Sequence, residues 1–143
     1  MIKNYNDKPW NNLQTNYGIA LNGKTLEFLY NNREKYERTL IEILSKAKVY
    51  ARMSPDHKGL LVSLIQDNLM TRVGMCGDGA NDCVALKQAD AGISLSDAEA
   101  SIAAPFTSKV RDISSVITLL IEGRASLASA FQSFKIILVY AAT

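Results

Sequence analysis

Between residues 49 and 95 the chain alternates short β-leaning runs with helical patterns, and this alternation constrains the fold more than any other feature. Val49-Tyr50-Ala51-Arg52-Met53 is the first β-leaning run, Arg72 to Cys76 the second and Ala91 to Leu95 the third. A helix is expected between the first two, because Ser54 suits an N-cap, Pro55 the first helical position and Asp56 the positive end of the dipole. Its residues Leu61, Leu64, Ile65 and Asn68 share one side, and it should end near Asn68. A glycine turn and a shorter helix, Asn81 to Ala89, follow the second run. Strand–helix–strand–helix–strand at this spacing specifies βαβ units, hence an α/β fold. Val49 to Leu95 is expected to form one parallel sheet with helices on both faces.

The flanks are less regular. Eight Asn fall within the first 32 residues, and residues 1–17 show no sustained apolar period, so a polar, poorly ordered segment is expected there. Gly18 to Asn22 reads as a short strand, and Leu26 to Lys46 as helical, with Leu40, Ile43, Leu44 and Ala47 on one stripe. Near the other end, Ile113, Val116, Ile117, Leu120 and Ile121 form a helical stripe that Gly123 is expected to interrupt. Ala125 to Thr143 reads as a second helix of rising apolarity, with seven apolar residues from Ile136 to Ala142. That pattern stops without a cap, as a truncated helix would. The expected divisions are therefore a polar segment at 1–17, an α/β domain at 18–122 and a terminal helix at 123–143.

Composition narrows the function classes. With 143 residues, 48% of them hydrophobic and 21% charged, the chain can bury a core, which excludes a disordered or collagen-like protein. A net charge of +2 gives no electrostatic reason to expect a nucleic-acid partner. Cys76 and Cys83 form neither a CxxC nor a zinc spacing, and suit a reducing, cytosol-facing environment. Met1 to Tyr5 lacks the apolar stretch of a signal peptide, and no run reaches the ~18 apolar residues that span a bilayer.

Three constellations carry chemistry. Gly18-Ile19-Ala20-Leu21-Asn22-Gly23-Lys24-Thr25 satisfies the GxxxxGK[ST] phosphate-loop pattern. A working phosphate loop follows a buried strand, however, and here the apolar residues sit inside the loop, where a strand followed by a turn is expected instead. Gly77-Asp78-Gly79-Ala80-Asn81-Asp82 directly follows the apolar run Val73 to Cys76, and ligands collect at the carboxyl ends of parallel strands. Its glycines allow a sharp turn and a close backbone approach, and its two carboxylates suit Mg²⁺, which takes few carboxylates together with waters and phosphate oxygens. The alternative is a turn at Asp78 with Asp82 serving the helix dipole. Lys58 lies in a first helical turn, where a cation opposes the dipole unless an anion is near. His57 beside it is expected to be a surface helix residue.

The longer strings resemble a known family. Met75-Cys76-Gly77-Asp78-Gly79-Ala80-Asn81-Asp82-Cys83, with Ala85-Leu86-Lys87 and Ala91-Gly92-Ile93-Ser94, resembles the hinge motif of P-type ATPases. Ala51-Arg52-Met53-Ser54-Pro55-Asp56-His57-Lys58 is similar to the lysine segment of the same phosphorylation domain. Ser94 to Ser101 and Ala104-Pro105-Phe106-Thr107-Ser108 resemble the type-five branch, within it the polyamine-exporting, endolysosomal group. The resemblance implies a partial Rossmann-like, haloacid dehalogenase-type parallel sheet, followed by a helix leading into a membrane segment where Lys135 sits near the boundary. It implies ATP and Mg²⁺ as cofactors, a transported cation or polyamine, membrane lipid around the last helix, and a multi-pass endomembrane parent with this segment facing the cytosol. By the same resemblance Asp78 and Asp82 are metal ligands, Lys58 and Asn81 catalytic groups, and Gly77, Gly79 and Asn81 line the phosphate. The family's DKTGT nucleophile is absent from these residues, and Asp7-Lys8-Pro9 shares only two of its letters. The chain alone is therefore expected to be inactive. Val84 stands where the family prefers a small residue, and is expected to crowd the helix start. The alternatives are a freestanding Mg²⁺-, phosphate- or partner-binding remnant, and a small P-loop nucleotide binder through Gly18 to Thr25.

Overall fold

The computed structural model describes residues 18–95 and 102–142. The N-terminal segment expected to be poorly ordered, and most of the Ser94 to Ser101 string, lie outside the described residues. The chain divides into two compact units, Met1–Thr71 and Arg72–Thr143.

In the first unit, β1 (Ile19–Asn22) runs directly into α1 (Gly23–Asn31), followed by α2 (Arg33–Lys46), β2 (Ala47–Ala51) and α3 (Pro55–Leu69). β1 and β2 pair in parallel, with Leu21 opposite Tyr50 and Asn22 opposite Ala51. The expected helix from Leu26 to Lys46 is in fact two. Asn32 closes α1 by donating from its carboxamide to the Phe28 carbonyl at 2.8 Å, and its own N–H bonds the same oxygen at 3.2 Å. Ala47, expected at the end of the helical stripe, instead opens β2. Leu21, Leu26, Leu29, Leu40, Leu44 and Leu64 form the core, because residues three or four apart share a helix face. The Ser54 cap is made as expected, its Oγ accepting from the His57 N–H at 3.2 Å.

The second unit contains β3 (Gly74–Gly77), α4 (Cys83–Gln88), β4 (Ala91–Ser94), β5 (Phe106–Thr107) and α5 (Ser114–Ala141). Its three strands are parallel, in the order β3-β4-β5. An Asp90 clasp secures the β3–β4 register, its carboxylate accepting from Arg72 Nη1 at 2.7 Å and from the Val73 N–H at 2.9 Å. α4 packs down on β4 so closely that a Cβ on Gly92 would meet the Leu86 carbonyl oxygen at 2.5 Å.

Two further expectations are corrected, and one strand is present that none anticipated. The single sheet across Val49 to Leu95 is two sheets, β1-β2 and β3-β4-β5. Period-two patterning encodes which face of a strand is buried but not which strand lies beside it. β5 has no counterpart in the sequence pattern, since two exposed residues carry no readable period. Gly123 does not interrupt the last helix, which is continuous over 28 residues. One helical glycine costs only about 1 kcal/mol relative to alanine, which the good helix formers around it offset. No described helix is long and apolar enough to cross a membrane.

Candidate functional site

The loop after β3 holds the carboxylate pair. Asp78 and Gly79 form a bend, Ala80-Asn81-Asp82 a single 3₁₀ turn, and α4 starts at Cys83. Gly77 is buried, and a Cβ there would lie 2.6 Å from both Cβ and Oδ2 of Asp82. The Asp82 side chain is thus folded back over the end of β3, in space that only a glycine leaves open. Asp78 and Asn81 are exposed, and Asp82 is half-buried.

Both carboxylates act on one neighbouring group. The Cys76 thiol is pushed up first by burial, then by the negative charges of Asp78 and Asp82. Asp82 precedes α4 but makes no side-chain cap hydrogen bond there, so capping does not account for it. Among the described residues no group of three or more His, Cys, Asp or Glu is placed to hold a metal. The donor set is two carboxylates, which fits Mg²⁺ only if water or phosphate oxygens complete the shell.

The glycines contribute differently from expectation. No glycine among the described residues has a positive φ, so the turn around Asp78 needs none for its backbone. Gly77 is required by close approach, whereas a Cβ on Gly79 would meet nothing within 4 Å. Val84 is 44% exposed and does not crowd the helix start: it faces away from the packed side of α4, which presents Ala85 and Leu86.

Lys58 occupies the first turn of α3, half-buried, its N–H bonded to the Ser54 carbonyl at 3.0 Å. It follows β2 of the first sheet, whereas Asp78 follows β3 of the second. His57 is not the surface residue expected, but is half-buried over Gly23 with Nε2 3.4 Å from Glu27 Oε2. Its partners come from α1, more than two dozen residues upstream, which local reading does not reach.

The phosphate-loop pattern is not a phosphate loop. Residues 19–22 are strand and α1 begins at Gly23, so no loop exists for converging amides. The expected turn is absent as well, because Asn22 caps α1 directly. Its Oδ1 accepts from the Thr25 N–H at 2.8 Å and from Thr25 Oγ1 at 2.9 Å. A Cβ on Gly23 would collide with His57, so this glycine serves packing.

Comparison with known proteins places these residues among close sequence relatives. The chain is 49% identical over 130 residues to the vacuolar cation-transporting ATPase YPK9 of Saccharomyces cerevisiae, covering 90% of this chain and 9% of the relative. It is 50% identical over 131 residues to the probable cation-transporting ATPase catp-6 of Caenorhabditis elegans, covering 92% and 10%. With the polyamine-transporting ATPase 13A2 of Mus musculus it shares 49% identity over 125 residues, covering 87% and 10%. The chain spans about a tenth of the length of these relatives. No family model matches it.

Proposed function

Because the chain belongs to the type-five P-type ATPases, we propose that it is a segment of an ATP-driven cation or polyamine transporter. Residues 18–122 would belong to the phosphorylation domain and 123–143 to a helix running toward the membrane. The observation that carries this reading is the folded-back Asp82 carboxylate over Gly77, beside Asp78 at the end of β3. Glycine at 77 sacrifices a side chain to put a second carboxylate at a strand end, which a plain turn has no need of.

In this reading Asp78 and Asp82 hold Mg²⁺, which when bound screens the charge of the transferred phosphoryl group. Asn81, exposed in the 3₁₀ turn, donates hydrogen bonds to phosphate oxygens, with the open backbone at Gly79 close by. Lys58 neutralises charge on the phosphoryl oxygens. Such transfers need in-line positioning and charge neutralisation above all, and these side chains are of the right kind. The nucleophilic aspartate belongs to a DKTGT string that these residues lack, so the chain alone should form no phosphoenzyme.

The exposed apolar residues Phe131, Phe134, Ile136, Ile137, Leu138 and Val139 support the membrane-directed reading of the end of α5. The parent would be a multi-pass membrane protein with residues 18–122 on the cytosolic side. The vacuolar name of the yeast relative supports an endomembrane location.

The decisive experiment replaces Asp78 with Asn in the whole transporter. Loss of a metal-bound charge at constant shape should lower phosphoenzyme formation by at least about a hundredfold. Phosphorylation at the normal rate would overturn the metal assignment.

A further inference from the structure

His57 lies against Gly23 more tightly than the Ser54 cap requires. A Cβ on Gly23 would fall 2.4 Å from His57 Nδ1 and 3.0 Å from the Arg52 carbonyl oxygen. Nδ1 is buried and has no hydrogen-bond partner among the described residues, while Nε2 is 3.4 Å from Glu27 Oε2. A neutral imidazole has one proton to place. At Nδ1 that proton would be a buried donor without an acceptor; at Nε2 it faces a carboxylate. A neutral ring would thus carry its proton at Nε2, with Nδ1 turned toward Gly23.

This contact joins three pieces of chain: α1 through Gly23 and Glu27, the β2–α3 link through Arg52, and the first turn of α3. Arg52 has φ 50, a left-handed conformation that an arginine adopts only when its surroundings hold it. Just beyond His57 comes Lys58. The backbones of both are tied to Ser54, His57 N–H to Ser54 Oγ at 3.2 Å and Lys58 N–H to the Ser54 carbonyl at 3.0 Å. A lysine ammonium on a flexible four-carbon stem can be aimed only from a fixed root.

We propose that His57 is a positioning residue, a wedge between Gly23 and Glu27 that fixes the first turn of α3 and so aims Lys58. The proposal rests on the phosphoryl-stabilising role read for Lys58 above.

The test is a variant cycle in the whole transporter, reading the maximal rate of phosphoenzyme formation and the half-saturating ATP concentration. Lys58→Ala should cost about a hundredfold in rate. His57→Ala should cost about tenfold in rate, leave half-saturation unchanged, and add nothing when combined with Lys58→Ala. Gly23→Ala should reproduce that loss by displacing the ring, whereas His57→Gln, whose amide reaches toward Glu27, should restore most of it. A folded His57→Ala enzyme at the normal rate, or a loss that adds fully to that of Lys58→Ala, overturns the proposal. If Lys58→Ala itself phosphorylates normally, the role of Lys58 fails first, and the wedge then has nothing to aim. Should His57→Ala not fold, Glu27→Gln with and without Lys58→Ala carries the same comparison: a loss confined to enzyme with Lys58 supports the proposal, and no loss overturns it.

Discussion

The two units solve the packing problem in opposite ways. The first fills its interior with six leucines, and Leu26 at its centre is 0% exposed. Among its described residues the second buries Leu86 and Ile93 with three alanines, Ala85, Ala103 and Ala104, and gains its order from close backbone approaches at Gly77 and Gly92 and from the Asp90 clasp. Among the described residues the first exposes few large apolar side chains, Phe28, Val49 and Met70, whereas the second displays the long α5, none of whose residues is buried. Bulk stabilises a unit but keeps elements a side chain apart. Where a carboxylate must lie against the end of a strand, small residues have to replace bulk, and stability must come from polar ties. The carboxylate pair is found in the unit built that way.

If this contrast is right, opposite changes should damage the two units. Leu26→Ala should cost about 4 kcal/mol and speed amide exchange across residues 18–71, leaving 72–95 protected. In the second unit, adding a methyl should do the damage: Gly92→Ala forces a Cβ to within 2.5 Å of a backbone oxygen and should cost about 2 kcal/mol. Gly79→Ala, in open space, is the silent control. Equal loss of protection in both units from Leu26→Ala would break the comparison.

The polar ties can be weighed separately. Asp90→Asn weakens the hydrogen bonds to Arg72 and to the Val73 N–H, and should cost the second unit about 1 kcal/mol by denaturant titration. A smaller effect of opposite sign is expected in the first unit. The Tyr50 hydroxyl is buried without a hydrogen-bond partner among the described residues, and burial raises its pKa. Tyr50→Phe should therefore stabilise the first unit by about 0.5 kcal/mol, and a loss of stability would show that the hydroxyl has a partner after all.

The smallest effect concerns the start of α5. Ser114 donates hydrogen bonds from its side chain and backbone to Asp112, holding that carboxyl below the usual carboxylate range. A folded-state value below the unfolded one stabilises above the ordinary carboxylate pKa, and that stabilisation is lost as pH falls through the folded value. The first turn of α5 should accordingly stay ordered at neutral pH and fray in acid, as amide shifts of Ser114 to Val116 would record. Asp112→Asn should remove the pH dependence.

Much of the site is legible in the amino-acid sequence. The Gly77 to Asp82 string marks a loop at a strand end, and Ser54-Pro55-Asp56 marks the helix that carries Lys58. The use made of Gly77 is not legible there. A glycine at that point suggests freedom to turn, but its φ is ordinary and its purpose is room for Asp82. His57 escapes local reading for the same kind of reason, since its partners Gly23 and Glu27 lie on another helix.

By itself, the sequence determined the α/β character of this protein, the strand–helix–strand–helix–strand succession from Val49 to Leu95, the Ser54 cap and the place of the carboxylate pair. Each of these depends on hydrogen bonds and periodicities spanning a few residues, which local side chains control. Only the tertiary structure decided that the strands divide into two parallel sheets, that Phe106 and Thr107 join one of them, that Asp82 folds over Gly77 and that His57 closes on Gly23. Those are contacts between distant residues, chosen by which surfaces can approach most closely, and no local pattern encodes that distance.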